Sequence, residues 1–494
     1  MSSNSAQIEH QLHRDFQELV EYVTGAESQF RTAYEVELTL FRRLLALGAQ
    51  LLRLFFVQRA TMRPREPVYA SDGVRLNYQG LRRATYFSVF GRVRFRRHYF
   101  YAPGHGGICP LDAELSLPPR CYSDLLRDWA EYCITDESYD ESSKVLKRIL
   151  GLSISKLALE TGIQEDATDV EAFYKQKAAP SSEDEGTILV VQADGKGVPM
   201  VRTEPADQPA RRGKGQKRTK KKEAVVTAIY TIAPYHRSPQ QVAKALLRDL
   251  TGDEEAKQAA FPSSPQRPAP VAKEVRATLY GKDIAFERLV ERVAQREGTR
   301  VRHRVALTDG AEPLQDRVCD KLPQFTLILD IIHASEYLWD AANALMGETH
   351  PERTAWVSEQ LLNILSGKMT TVIQTLESRA QDPSLSTSQR KTLNTTIGYY
   401  QRNLPYMHYD QCLANGWPIG TGVVEGACGH LVKDRMERSG MRWRLSGAAP
   451  MLMLRAIHVS NHWDTFQAQR MKSDLQELHP NRHLIQSYTP ETIA

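Results

Sequence analysis

TILVVQADGKGVPM occupies residues 187–200 and decides the fold. Its run of apolar and β-branched residues, 187–193, predicts a buried strand that ends at Asp194. A second short run, in HRVALTDGAEP (303–313), ends in the same way at Asp309. Glycine follows both aspartates, and an Asp-Gly pair after a strand often forms only a turn. Two strand-end aspartates can also meet at one place, so both are candidate site residues.

A third acidic residue, Glu425, opens a segment with helical spacing in PIGTGVVEGACGHLVKDRMERSGMRWR (418–444). If Asp194, Asp309 and Glu425 converge, two of their charges about 4 Å apart repel by roughly 4 kcal/mol at an effective dielectric constant near 20. Divalent cations remove that repulsion, and Mg²⁺ prefers oxygen ligands. We therefore expect these carboxylates to hold two Mg²⁺ (or Mn²⁺) ions roughly 3.5–4 Å apart, an arrangement suited to in-line phosphoryl displacement.

Composition and length indicate a soluble protein of ordinary character. The chain has 494 residues, a net charge of +5, 25% charged and 41% hydrophobic residues, which allows roughly two to four domains. The polar start lacks the apolar segment of a secretory signal, and no apolar stretch approaches the ~20 residues that span a bilayer. Six scattered cysteines predict reduced thiols. We expect a cytoplasmic location and no membrane partner.

The first 180 residues predict helices around a β-hairpin. Residues 1–62 have helical periodicity, and a broad apolar face predicts either a packed helical hairpin or a dimerisation helix. In the region 63–180, TYFSVFGRVRFRRHYFYAP (85–103) predicts a β-hairpin. Two helices within 120–175, joined by a glycine-containing turn, resemble a helix-turn-helix. We assign 63–180 to DNA binding, although most helical hairpins do not bind DNA.

Basic residues cluster at three places that can contact phosphates. These are the predicted β-hairpin, the segment RRGKGQKRTKKK (211–222) and the predicted helix after Glu425, where Trp443 lies among the basic residues. Each place can equally be a solvated surface, and Trp443 can be a core residue rather than one that stacks on a base. The candidate DNA-binding residues are Arg92, Arg94, Arg96 and Arg97; Lys214, Lys217, Arg218 and Lys220; and Lys433, Arg435, Arg438, Arg442 and Trp443.

A zinc site can be imagined near the β-hairpin. Its ligands would be His98, His105, Cys109 and Cys121. Structural zinc sites normally use two closely spaced pairs of ligands, and this spacing lacks them. The sequence therefore favours no zinc ion here.

The order of elements predicts an α/β fold with a mixed sheet. Strands are expected at TILVVQADG and GVPMVRT, joined by a turn at 195–197, and then at EAVVTAIYTIAP, HRVALTDG and FTLILDIIH. Antiparallel strands followed by strands alternating with helices are expected of a ribonuclease-H-like fold. This catalytic core would cover 187–335, be interrupted by an all-helical insertion (336–415), and resume with a long helix (416–463) before a tail (464–494).

These motifs resemble DDE transposases of bacterial insertion sequences, most closely the ISKra-type family, and the wider Mutator-like group. The similarity lies in QADGKGVPM (192–200), LTDGAEPLQ (307–315), LILDIIHASEYLW (327–339) and TGVVEGACGHLVKDRMERSGMRWRLSGAAPMLMLRAI (421–457). It spans about 80–463 of the chain.

The resemblance implies roles for particular residues. Asp194 would bridge both metal ions, while Asp309 and Glu425 would each hold one. The Mutator-like pattern also implies an Asp330-x-x-His333 pair, in which His333 contacts the scissile phosphate or orients a ligand. On the alternative interpretation Asp330 only caps the next helix and His333 packs there. Asp330 also ends a predicted strand, so it can replace Asp309 as a metal ligand. The glycine that follows Asp309 nevertheless favours Asp309 as the ligand.

The resemblance also implies the activity and its partners. The protein would bind double-stranded DNA at the terminal inverted repeats of an insertion sequence, cleave it, and transfer the ends to target DNA. It would act as a homodimer or higher oligomer, in the bacterial cytoplasm and nucleoid. Two alternatives remain open: a structure-specific nuclease or resolvase, and a DNA-binding protein without catalysis.

Overall fold

A computed structural model describes residues 2–60, 67–70, 72–118, 121–201, 221–247, 267–298 and 300–479. Contacts divide the chain into two units, one made of Met1–Phe173 with His462–Ala494 and the other of Tyr174–Asn461. Within the described residues, no helix combines the length and the apolar character needed to cross a membrane.

The first unit begins with the predicted helical hairpin, formed by α1 (Ser2–Thr24) and α2 (Ala33–Ala60). Its four strands pair in chain order as an antiparallel sheet. They are β1 (Val68–Tyr69), β2 (Arg75–Ser88), β3 (Gly91–Ala102) and β4 (Gly106–Ile108). The predicted β-hairpin is confirmed: Ser88 pairs with Gly91, and the glycine has a φ of 128° that other residues rarely adopt.

Helices complete this unit. They are α3 (Pro110–Glu114), α4 (Asp124–Asp136), α5 (Tyr139–Leu150), α6 (Lys156–Asp166), α7 (Val170–Gln176) and the C-terminal helix Trp463–Leu478. Helix α5 ends at Gly151 in the left-handed conformation, and Ser155 caps the start of α6. The predicted pair of helices around a glycine turn is therefore confirmed as a local structure. Its contact with DNA stays a prediction.

The second unit contains the mixed sheet, which confirms the α/β class. Its strands are β5 (Ile188–Pro199), β6 (Lys221–Ile232), β7 (Val271–Thr278), β8 (His303–Thr308) and β9 (Thr326–Leu329). Among the described residues the order is β7-β6-β5-β8-β9. The β7-β6 and β6-β5 pairs are antiparallel, whereas the β5-β8 and β8-β9 pairs are parallel.

Two details of the predicted strands were wrong. The turn expected at 195–197 does not form, because β5 continues through it and pairs with β6 along its whole length. A Cβ at Gly195 would lie 2.6 Å from the Glu223 side chain and one at Gly197 would lie 2.8 Å from the Lys221 side chain, and both of these exposed, flexible side chains can move aside. The third antiparallel strand is β7, which the sequence analysis missed.

Strand β5 has helices on both faces. Ile188 and Val190 belong to one core cluster, and Leu189 and Val191 belong to another. A strand buried on both faces lacks polar alternation, which explains the continuous apolar run. Helices α8 (Pro239–Leu247), α9 (Lys282–Arg296) and α10 (Glu312–Lys321) lie in the connections between the strands.

The segment after β9 is helical, as expected. Its helices are α11 (Ile331–Met346), α12 (Arg353–Leu365), α13 (Met369–Ala380), α14 (Thr387–Asn403) and α15 (Tyr409–Ala414). The predicted long helix at 416–463 is instead broken into α16 (Gly422–Ala427), a π-helix (Cys428–Lys433), α17 (Asp434–Met436), a 3₁₀ turn (Arg438–Gly440) and α18 (Leu445–Val459). Such π-helical turns often lie at functional sites.

Candidate active site

Three neighbouring parallel strands have an aspartate at the same level: Asp194 lies within β5, whereas Asp309 and Asp330 directly follow β8 and β9. In the register of β5, β8 and β9, Ala193 pairs with Thr308, and Thr308 pairs with Leu329. The next residues along the three strands are Asp194, Asp309 and Asp330. Adjacent strands lie about 4.8 Å apart, so the three aspartates are neighbours at one edge of the sheet. The sequence pattern predicts the first two of them at this position.

Asp330 is completely buried, with 0% of its surface exposed. Its Oδ2 accepts hydrogen bonds from the backbone N–H of His333 (3.0 Å) and from Nδ1 of the same residue (2.7 Å). Its Oδ1 accepts one from the backbone N–H of Thr421 (2.9 Å). The carboxylate therefore caps α11, as the alternative interpretation held, and also fixes the segment before α16.

His333 carries a positive charge at neutral pH. The hydrogen bond that Nδ1 of His333 donates to Asp330, together with the negative charge of that carboxylate, raises the pKa of His333 to about 9, although partial burial opposes this. The charges of Glu336 and Asp309 raise the pKa further. About 30% of the His333 side chain remains exposed, so the imidazolium can reach a bound anion.

Glu425 lies in α16, beside Asp330 and His333. One ligand atom from each of these three residues lies within 4.8 Å of the other two. In the described part of the chain this is the tightest group of possible metal ligands, whereas we expected Asp194, Asp309 and Glu425 to form it. The difference arises because the segment before α16 is hydrogen-bonded to the end of β9: the backbone N–H of Ile331 donates to the carbonyl of Ile419 (3.0 Å).

Asp194 and Asp309 are half-buried beside this group. Asp194 Oδ1 accepts a hydrogen bond from the N–H of Gly195 (2.6 Å), and its Oδ2 accepts one from the thiol of Cys428 (3.2 Å). Burial and the charge of Asp194 raise the pKa of Cys428, so the thiol keeps its proton. Asp309 Oδ1 accepts a hydrogen bond from the N–H of Ala311 (2.9 Å).

The structure adds a positioning residue that the sequence analysis missed. Gln192 is buried in β5, and its Nε2 donates to the carbonyl of Gly420 (3.1 Å) while its Oε1 accepts from the N–H of Val424 (2.9 Å). Its Nε2 also lies 3.1 Å from the hydroxyl of Tyr230. A polar side chain inside an apolar run was the available signal, because buried polar groups require partners.

Tyr399 supports Asp309 from the helical segment. Its hydroxyl donates to the backbone carbonyl of Asp309 (3.0 Å), and its ring stacks on Tyr337 at 3.7 Å between centroids. Gly310 has a φ of 90°, and a Cβ there would lie 2.6 Å from this hydroxyl. Glycine is thus required after Asp309 for two reasons: the backbone has a positive φ there, and a side chain would collide with the Tyr399 hydroxyl.

The oxygen donors fit hard divalent cations. Carboxylate oxygens are the ligands that Mg²⁺ and Mn²⁺ prefer. Among the described residues, Asp309 Oδ2 and Glu425 Oε2 accept no hydrogen bond, whereas both oxygens of Asp330 are occupied by N–H donors. Asp309 and Glu425 are therefore better suited as ligands than Asp330, whereas Asp194 is like Asp330 in that both of its oxygens accept hydrogen bonds.

The candidate DNA-binding residues divide by exposure. Arg92, Arg94, Arg96, Lys433, Arg438 and Arg442 are exposed. Arg97 instead points inward and pairs with Asp112 at 2.5 Å, which removes it from the outer surface. Lys214, Lys217, Arg218 and Lys220 lie outside the described residues.

Arg435 and Trp443 are buried, which corrects their expected role at a DNA surface. Trp443 is 8% exposed, and its Nε1 donates to the carbonyl of Met436 (3.0 Å). The Arg435 guanidinium lies 5.0 Å from the centre of the Trp443 ring. The tryptophan backbone also bonds to Pro199 and Val201, next to the end of β5. These side chains support the core, as the alternative interpretation of Trp443 held.

The imagined zinc site does not assemble. His98 lies 3.1 Å from the hydroxyl of Tyr78, and His105 pairs with Asp72 at 2.5 Å. Throughout the described ranges, no group of three possible ligands includes His98, His105, Cys109 or Cys121.

No model of a known protein family matches the chain, and no curated protein matches it. Among solved structures, a Drosophila P element transposase strand transfer complex is similar at 10% identity, over 73% of this chain and 85% of that chain, with a TM-score of 0.22. A TM-score this low carries no argument about fold or activity. Function is therefore inferred from the carboxylates and their surroundings.

Proposed function

We propose that this protein is a transposase of the DDE type, which cleaves DNA at the ends of an insertion sequence and joins those ends to target DNA. The supporting observation is that Asp194 in β5 lies level with Asp309, which follows the neighbouring parallel strand β8, while Glu425 is held nearby through Gln192 and Thr421. Phosphoryl transfer needs positioning and charge neutralisation more than covalent chemistry from the protein.

In this proposal Asp194, Asp309 and Glu425 hold two Mg²⁺ (or Mn²⁺) ions. When bound, such ions activate the attacking hydroxyl and stabilise the leaving oxygen. The protein itself orients the ligands: Gln192 and Thr421 hold the Glu425 segment. The His333 imidazolium donates its exposed N–H to a phosphate oxygen and neutralises part of its charge.

The sheet is compatible with the ribonuclease-H-like fold that we propose for the second unit. Counted from β5, Asp194 lies on the first strand and Asp309 follows the fourth. The helices between β9 and α16 would then be an insertion between the second and third acidic residues. Strand order is a weak argument by itself, because one fold serves many functions.

The decisive test removes one charge from each proposed ligand. Asp194→Asn, Asp309→Asn and Glu425→Gln should each abolish Mg²⁺-dependent cleavage of a duplex carrying the inverted repeats that flank the coding region, while binding of that duplex survives. Asp320→Asn is the matched control, because its side chain on α10 is 71% exposed. Unchanged cleavage in the three ligand variants would refute the site.

A second assay separates the transposase from a nuclease that only cuts. Pre-cleaved ends with a free 3′-hydroxyl should be joined to a target duplex by the native protein and not by Asp194→Asn. Cutting without joining would support the nuclease or resolvase.

A further inference from the structure

The two faces of the β2–β3 hairpin differ sharply in chemistry. On the inner face Val93 and Phe95 are 2% and 5% exposed, and the Phe95 ring stacks on Phe56 of α2 at 4.4 Å between centroids. On the outer face the intervening residues are arginines, which project outward because side chains alternate along a strand. These outer residues are Arg92, Arg94 and Arg96 of β3, all exposed.

A fourth arginine on β2 joins them. Arg96 pairs directly with Arg83, which is also exposed, while Arg94 pairs with Thr85 and Arg92 pairs with Phe87. Like charges directly opposite each other destabilise a sheet. Among the described residues no acidic side chain forms an ion pair with these four arginines, which we call the arginine face. It therefore carries a charge that no acidic side chain in the described ranges balances.

The inward arginine shows the contrast. Arg97 follows Arg96 in the sequence but faces inward, where Asp112 pairs with it. The fold thus neutralises the arginine that packs against its interior. The arginine face, in contrast, remains available to a partner that carries a row of negative charges.

We propose that the arginine face of the β2–β3 hairpin binds the phosphate backbone of duplex DNA. Alternate residues of a strand lie roughly 6.6–6.8 Å apart, so Arg92, Arg94 and Arg96 present a row of evenly spaced guanidinium groups. A two-stranded ribbon fits the major groove of B-DNA, which is about 12 Å wide. Guanidinium groups bind phosphate through paired hydrogen bonds. The inference rests on the proposed function only in taking DNA as the partner.

Salt-dependent binding tests this inference. Arg94→Gln/Arg96→Gln is compared with the native protein in anisotropy titrations of a labelled duplex, between about 50 and 200 mM salt. If both arginines contact phosphates, the slope of log Kd against log salt falls by about 1.8 and binding weakens by roughly 60-fold at 0.1 M salt, on duplexes of any sequence. The control Arg14→Gln/Arg53→Gln makes the same charge change at exposed positions on α1 and α2.

The titrations contain a chelator, so cleavage cannot affect them, and failure of the carboxylate site leaves the result readable. Thermal unfolding checks that the hairpin variant folds, which we expect because the change relieves the repulsion between Arg83 and Arg96. An unchanged slope, or an equal loss in the control, overturns the proposal. A loss of binding confined to duplexes of one sequence also overturns the proposal, because it indicates contacts with base edges instead of phosphates. Loss of binding to phosphatidylserine vesicles with duplex binding intact assigns the face to a membrane and also overturns it.

Discussion

Replacing the buried Gln192 with leucine should detach the segment that carries Glu425 from strand β5. The change removes hydrogen bonds to Gly420, Val424 and Tyr230 and adds no charge. A typical intramolecular hydrogen bond contributes about 1 kcal/mol, so the three together contribute about 3 kcal/mol to the free energy of unfolding. In a unit of this size each 1 kcal/mol shifts the melting temperature by about 2 °C, which predicts a decrease of about 6 °C.

The effect on activity should be larger than the effect on stability. A displacement of about 1 Å in a catalytic group can reduce the rate about 100-fold. We therefore expect single-turnover cleavage by Gln192→Leu to fall by roughly that factor while duplex binding is unchanged. Gln192→Glu should be at least as damaging as Gln192→Leu, because it buries a carboxyl group without a cationic partner among the described residues and places an acceptor oxygen against the carbonyl of Gly420.

Gln360 provides the matched control. It is also buried, at 5% exposure, but its Oε1 has no hydrogen-bond partner in the part of the chain that the structure describes. Leucine at this position in α12 should therefore leave both the melting temperature and cleavage close to native. If Gln192→Leu melts within about 2 °C of the native protein, where roughly 6 °C is expected, and cleaves at the native rate, Gln192 does not position Glu425.

Two further changes test the surroundings of the strand ends. In metal-free buffer the His333 ring should titrate near pH 9 by NMR, and Asp330→Asn should return its pKa toward about 6.5. Because the pKa of His333 is raised in the folded state, its pairing with Asp330 stabilises the protein fully below about pH 6.5. This stabilisation is lost as the pH rises through 9. Melting temperatures measured across that range would reveal the loss. Gly310→Ala should lower the melting temperature more than Gly347→Ala, since both have positive φ but only Gly310 faces the Tyr399 hydroxyl; equal effects would show that backbone strain alone explains the glycine.

The sequence was sufficient where burial and local hydrogen bonds determine structure. The apolar run before Asp194 fixed strand β5, because a segment without polar alternation must be covered on both faces. Ser155 and Gly151 marked a helix start and a helix end through bonds within a few residues. The position of Asp309 after β8 followed from the same kind of pattern.

Contacts between distant segments were decided only by the tertiary structure. Strand β7 contains Lys273, Glu274 and Arg276 and does not look buried, yet Glu274 is 2% exposed because Arg292 of α9 pairs with it at 2.6 Å. A charge becomes tolerable in a core only through such a partner, and local periodicity does not reveal the partner.

The same reason applies to the site. Glu425 lies beside Asp330 and His333 because the backbone N–H groups of two nearby residues hold its segment in place. The N–H of Val424 donates to Gln192, and that of Thr421 donates to Asp330. Both hydrogen bonds join segments more than 90 residues apart in the chain. The sequence named the acidic residues, since each follows a local strand or helix signal. Which of them lie closest together depends on packing between elements, and only the folded chain determines that packing.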